Sequence, residues 1–218
     1  MTRGPQIVDV RAQMDAIYRD LPLDEIPWNI ETPPPELAAF VAASIEPPCD
    51  VVDLGCGAGN YSIWLASKGF RVTGVDLSVE AIGIATRAAE RRGASCRFVA
   101  GNVIDGIAGL DDAFDFAFDW EVLHHIFPDE RRAWIRSVHR MLRTGGSYLS
   151  VSFSESDSAF GGEGRIRTTP LGTVLCFSSD DELRSLLEPA FEIVELQTIV
   201  VGGKTASHAV VWAHARKR

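Results

Sequence analysis

The sequence contains no apolar run near the roughly 20 residues that a membrane-spanning helix requires. Its opening, "MTRGPQIVDVRAQMDAIYRD", mixes acids and bases and lacks the apolar stretch of a secretion signal. These gaps point to a cytoplasmic protein with no membrane partner. Basic residues are also short: 21 Lys and Arg stand against 30 Asp and Glu, a formal charge of -9 at pH 7. No nucleic-acid partner is expected, because phosphate binding needs concentrated positive charge. The basic tail "HARKR" reads as a solvated end.

Cysteine is scarce, with four in 218 residues, at positions 49, 56, 96 and 176. None forms a C-x-x-C pair, so reduced structural thiols are expected. No His, Cys or acidic cluster has metal-ligand spacing, and no metal is expected. The G-x-S-x-G nucleophile elbow is absent, as are internal repeats and low-complexity segments. The length suits one domain with a full core, or one domain with a short appendage.

What is present is alternation. Strand-like runs fall at 49–54, 70–75, 96–100, 114–119 and 147–153, and helical runs at 60–68, 78–92, 129–143 and 179–188. Short apolar strands between amphipathic helices indicate an α/β fold with a parallel sheet covered on both faces. The end departs from this pattern. "FEIVELQTIVV" and "ASHAVVWAHA" are joined by "GGKT" with no helix between them, so the last strand is antiparallel to its neighbour.

Before the alternation, Ile7, Val10, Met14, Ile17 and Tyr18 mark a helix over 6–20. A proline-rich connector, "LPLDEIPWNIETPPPEL", leads to a second helix over 35–45. The division is an N-terminal helical cover, 1–48, and a ligand-binding domain, 49–218.

The first strand ends in "VVDLGCGAGN", with Gly55, Gly57 and Gly59. A dinucleotide fingerprint would need a third glycine at position 60, which is Asn60. Asp53 puts negative charge beside this loop, which suits a cation better than a pyrophosphate. S-adenosylmethionine carries a sulfonium and an ammonium and no phosphate, so the loop favours it over a nicotinamide dinucleotide. Asp76 ends the second strand, where an acid accepts hydrogen bonds from ribose hydroxyls, and Asn102 ends the third, where its amide carbonyl would meet an adenine amino group.

These segments resemble the class I S-adenosylmethionine-dependent methyltransferases. "VVDLGCGAGNYSIWLASKGFRVTGVDLSVEAI", "FDFAFDWEVLHHI" and "MLRTGGSYLS" carry the likeness, with Thr144 where the family usually has proline. "IPWNIETPPPEL" is similar to a segment of the small-molecule group that includes thiopurine, halide and tellurite methyltransferases. The resemblance implies a Rossmann-like fold, seven strands, mostly parallel, with the last reversed. It also implies that Trp28 lies against the cofactor, that Gly55, Cys56 and Gly57 hold its methionine part, and that Asp53 sits near the ammonium. Asp76 would then hold the ribose, Leu77, Asn102 and Val103 the adenine, and Asp119 would lie near the methionine moiety.

The segment "WEVLHHIFPDE" is the place to look for a general base. Adjacent residues in a helical turn point about 100° apart, so His124 and His125 should not both face a substrate. The resemblance favours His125; both could instead be structural. Glu121 is the other candidate, read as either a base or a solvated acid. Residues 154–178 lack clear periodicity and lie at the ligand end, as a lid would. Within them, Arg165 and Arg167 either meet an anion or remain surface charges.

The expected function is methyl transfer from S-adenosylmethionine to a small-molecule nucleophile (sulfur, oxygen, nitrogen or a halide-like ion), with S-adenosylhomocysteine as product. A non-catalytic sensor or partner subunit that binds either form is the alternative.

Overall fold

Each face of the central sheet is written into its strands by alternation. The computed structural model describes residues 9–161 and 164–218; Ile7 and Gly162 lie outside them. The chain forms α1 (Val10–Asp20) and α2 (Pro35–Ser44), then β1 (Asp50–Leu54), α3 (Asn60–Ser67), β2 (Arg71–Asp76), α4 (Val79–Arg92) and β3 (Cys96–Ala100). It continues through β4 (Phe114–Trp120), α5 (Pro128–Met141), β5 (Leu142–Phe153), β6 (Ile166–Thr168), β7 (Val174–Cys176), α6 (Asp180–Leu187), β8 (Phe191–Gly202) and β9 (Ser207–Lys217).

Seven strands pair in the order β3-β2-β1-β4-β5-β9-β8, with β1 to β5 parallel. Strand β9 runs antiparallel to both β5 and β8, the reversal expected from the helix-free hairpin. Val52, Val75, Ala117, Tyr148 and Val211 project to one face, where α5 and α6 supply Trp134, Val138, Leu183 and Leu187. Val51, Val72, Phe116, Phe118, Leu149 and Trp212 project to the other, against Leu65 of α3 and Leu37 and Val41 of α2. Period-2 burial on both faces is what a doubly covered sheet demands.

The helix ends obey local chemistry. The Ser78 hydroxyl accepts from the Ala81 amide, and Gly93, at φ 63°, closes α4 in the left-handed conformation. Ser179 caps α6 through the Glu182 amide. The cover is a separate apolar cluster: Ile17, Tyr18 and Ile26 pack on Ala81 at the start of α4.

Within 154–178 the described residues include regular structure that the sequence did not suggest. Strands β6 and β7 form a small antiparallel hairpin, Ile166 pairing with Cys176 and Thr168 with Val174. Arg167 is buried and donates to the carbonyls of Glu155, Asp157, Ala159 and Gly164, with its guanidinium carbon 4.3 Å from the Phe177 ring centroid. Arg165 donates to the Phe177 carbonyl and pairs with Glu182. Arg165 thereby ties this segment to α6, while Arg167 is spent on carbonyls and a ring within the segment itself.

Candidate active site

Strand order reverses between β1 and β4, and the crevice beyond their carboxyl ends is where open α/β sheets take ligands. A cavity lies there. Its floor is built from Asp53, Gly55, Cys56 and Gly57 after β1, Asp76 and Leu77 after β2, and Asn102 and Val103 after β3. Glu121, Val122, His125 and Ile126 after β4 form one wall, and Met14, Tyr18, Trp28 and Ile30 of the cover close it from above.

The glycine loop is shaped by close approach. Gly55 and Gly57 both have positive φ, at 74° and 53°. A Cβ on Gly57 would lie 2.5 Å from the Tyr18 hydroxyl, and one on Gly55 would lie 2.4 Å from the Val122 side chain. Asp76 fixes the loop: one carboxylate oxygen accepts from the Gly57 amide and the other from the Ser78 amide, each at 2.8 Å. Each oxygen keeps acceptor capacity for a diol. Burial raises the Asp76 pKa. Asp53 accepts from the Ser62 hydroxyl at 2.6 Å, and burial pushes its pKa up to about 7 against the opposing pull of that bond. A cation beside it would restore its charge.

Trp28 lines the cavity. Its indole N–H donates to the Tyr18 hydroxyl at 2.9 Å, and its ring meets His125 edge-on at 6.3 Å between centroids. Tyr18, whose sequence position reads only as a buried helix face, is a cavity residue that the spacing of apolar residues could not distinguish from core. Asn102 lines the cavity, but its Oδ1 already accepts from the Ile104 amide and its amide donates to Asp105, so capping a 3₁₀ turn is its first role.

Three expected site residues are placed elsewhere. Gly59 opens α3, and a Cβ there would meet Ala85 and Phe98, so it permits helix packing rather than ligand approach. Asp119 is fully buried off the cavity, accepting from the Tyr148 hydroxyl at 2.6 Å and the Leu123 amide at 3.2 Å. His124 is buried beneath the cavity wall, stacked on Phe153 at 4.3 Å, with Nδ1 accepting from the Phe153 amide. Burial holds its pKa well below the ordinary value, and a catalytic role does not fit this placement.

His125 and Glu121 do face the cavity. Burial lowers the His125 pKa to about 4, so the ring is neutral near pH 7. Glu121 has the left-handed φ of 60° and an Oε1 that is sealed from solvent with no hydrogen-bond partner. Burial, then the nearby Asp157, push its pKa up to about 7. It is not the solvated acid that its sequence context allowed. Among the described residues no group of three or more His, Cys, Asp or Glu could hold a metal ion, and no helix is long and apolar enough to cross a membrane.

Residues 51–146 match the family model described as "Methyltransferase domain". The chain is 30% identical over 159 residues, 67% of its length and 66% of the relative's, to the Ubiquinone biosynthesis O-methyltransferase of Xanthomonas axonopodis pv. citri. Of solved structures, 1,6-didemethyltoxoflavin-N1-methyltransferase of Burkholderia thailandensis, with its namesake substrate and S-adenosylhomocysteine bound, superposes at a TM-score of 0.75 with 28% identity, covering 95% of this chain and 87% of that one. A structure described as "Conversion of a Disulfide Bond into a Thioacetal Group during Echinomycin Biosynthesis" superposes at 0.81 with 26% identity, over 95% and 92% of the two chains. The chain spans about half the length of the curated relatives it matches.

Proposed function

This chain belongs to the class I S-adenosylmethionine-dependent methyltransferases, and from that premise we propose that it methylates a small molecule by in-line displacement. The observation that carries the reading is the glycine loop pinned by Asp76 beneath a cover that presents Trp28 to the cavity. Residues 1–48 act as the cover and residues 49–218 as the cofactor-binding domain. The cavity residues fit S-adenosylmethionine: Gly55, Cys56 and Gly57 offer backbone to the methionine part, and Asp53 faces the ammonium. Asp76 takes the ribose hydroxyls, while Leu77, Asn102 and Val103 border the adenine.

When bound, the cofactor supplies a methyl group already activated by its sulfonium. The protein's work is then positioning and exclusion of water. Trp28 and Tyr18 cover the cavity, and neutral His125 and the Glu121 carboxylate line the side left for an acceptor. Two neighbours whose names carry small-molecule chemistry, ubiquinone biosynthesis and 1,6-didemethyltoxoflavin, support a small acceptor here. The halide- and tellurite-type subgroup suggested by "IPWNIETPPPEL" rests on that segment alone.

Calorimetric titration with S-adenosylmethionine, S-adenosylhomocysteine and NADH tests the reading. The first two are expected to saturate, and Asp76→Ala to weaken both by about tenfold or more, since it loses a charge-assisted pair of hydrogen bonds. Binding of NADH alone would replace the reading with a dehydrogenase. Saturable cofactor binding without methyl transfer to any of a panel of thiols, phenols and amines would favour the non-catalytic sensor.

A further inference from the structure

The cavity's ionisable lining carries one sign of charge. Asp53 and Asp76 face its cofactor half and Glu121 its acceptor side, and among the described residues no Lys or Arg lines it. The two arginines that could have balanced a substrate anion, Arg165 and Arg167, are consumed by carbonyls and Glu182. His125 is neutral at working pH and adds no positive charge.

Asp53 and Asp76 already have partners, Ser62 for one and the Gly57 and Ser78 amides for the other. Glu121 is different. Its Oε1 is shut off from solvent and bonded to nothing, an unpaired buried acceptor at the cavity wall. Its backbone is held at φ 60°, where a side chain other than glycine is strained. That conformation lets β4 end while the Glu121 amide still donates to Val151 of β5 at 2.7 Å. Strain and an unsatisfied acceptor at one residue facing one cavity have a single economical explanation: the carboxylate awaits a donor on the ligand.

We infer that the cavity selects acceptors that are neutral or cationic and present an N–H or O–H to the Glu121 carboxylate, and that it rejects anions, halide ions included. The inference rests on the methyltransferase reading for the word "acceptor", and on the cavity alone for its charge preference. Titratable groups facing Glu121 are Tyr61 of α3 and Asp157 of the segment after β5; Asp157 is held by the Ala159 and Ala209 amides and cannot donate to it.

Three probes of one shape and different charge test this: benzylamine, benzyl alcohol and benzoate, titrated with and without saturating S-adenosylhomocysteine and followed by amide chemical shifts. Benzylamine and benzyl alcohol are expected to bind and to shift Glu121 and its neighbours, with benzoate at least about tenfold weaker than benzylamine. Glu121→Gly, which accepts positive φ, is expected to melt higher than the unmodified protein yet bind benzylamine about tenfold more weakly. Glu121→Gln keeps the size and is expected to lose the preference for the amine over benzoate. Equal binding of benzoate, unchanged amine affinity in both variants, or no binding by either donor at millimolar concentration would overturn the inference. Failure of S-adenosylhomocysteine to bind, with benzylamine still bound, would overturn the methyltransferase reading and leave the charge preference standing.

Discussion

Asp53 shows how one carboxyl group couples ligand, proton and stability. Its folded pKa, about 7, lies above the ordinary 3.8 because burial penalises the charge. The folded form therefore holds its proton more tightly than the unfolded chain. Its stabilising contribution is fully present below the unfolded pKa and is lost as pH rises through about 7. Relative to Asp53→Asn, the unmodified protein without ligand is expected to lose stability between about pH 4 and pH 7, measured by thermal unfolding across that range. A ligand ammonium beside Asp53 reverses the balance by favouring the carboxylate. Binding of S-adenosylhomocysteine near pH 6 is thus expected to release a proton, visible as a dependence of calorimetric heat on buffer ionisation enthalpy. Asp53→Asn is expected to remove most of that dependence; a variant that releases as many protons would assign them to another acid.

Among the elements, α5 is the one whose placement depends most on a single side chain. Arg131 is 1% exposed, and its guanidinium donates to the carbonyls of Ile126, Leu123 and Cys176, to the Ser178 hydroxyl and to Glu182. It thereby binds the turn that carries His125 to β7 and α6. Arg131→Ala leaves those carbonyls and Glu182 without their partner and is expected to cost about 3 kcal/mol or more, read from urea unfolding. Its helix was legible in the sequence, as were β1 to β5 and the closing hairpin, because apolar period and capping residues are local signals. Arg131 itself was not, since "ERRAW" gives no sign that the first arginine turns inward while the second stays exposed. The β6–β7 hairpin escaped for a related reason: three-residue strands are too short for a period, and the arginines that anchor them look like surface charge. The site divided along the same line. Gly55, Gly57 and Asp76 announce themselves through spacing at strand ends, whereas Asp119 and His124 sit at equally suggestive positions and are turned away by partners far along the chain, Tyr148 and Phe153.

At the scale of the whole molecule, the cover is tied down by the far end of the chain. The Lys204 ammonium, in the turn between β8 and β9, donates to the carbonyls of Asp24 at 2.6 Å and Ile26 at 3.0 Å. Those carbonyls belong to the segment that presents Trp28 to the cavity. Lys204→Ala is expected to speed release of S-adenosylhomocysteine by about threefold, because an exposed contact of this kind gates motion more than it stabilises the fold. Stopped-flow tryptophan fluorescence gives the rate, and an unchanged melting temperature separates gating from unfolding. An unchanged release rate would show that the apolar packing of Ile17, Tyr18 and Ile26 alone holds the cover.

That latch also sets a timetable during synthesis. The cover precedes in the chain the residue that fastens it by about 180 positions, and so is made well before it. Strands β1 to β4, which frame most of the cavity, are all translated in between. A nascent chain halted before the last hairpin would carry the glycine loop and Asp76 with an unfastened roof. The roof is therefore expected to fasten only once the turn between β8 and β9 has been made.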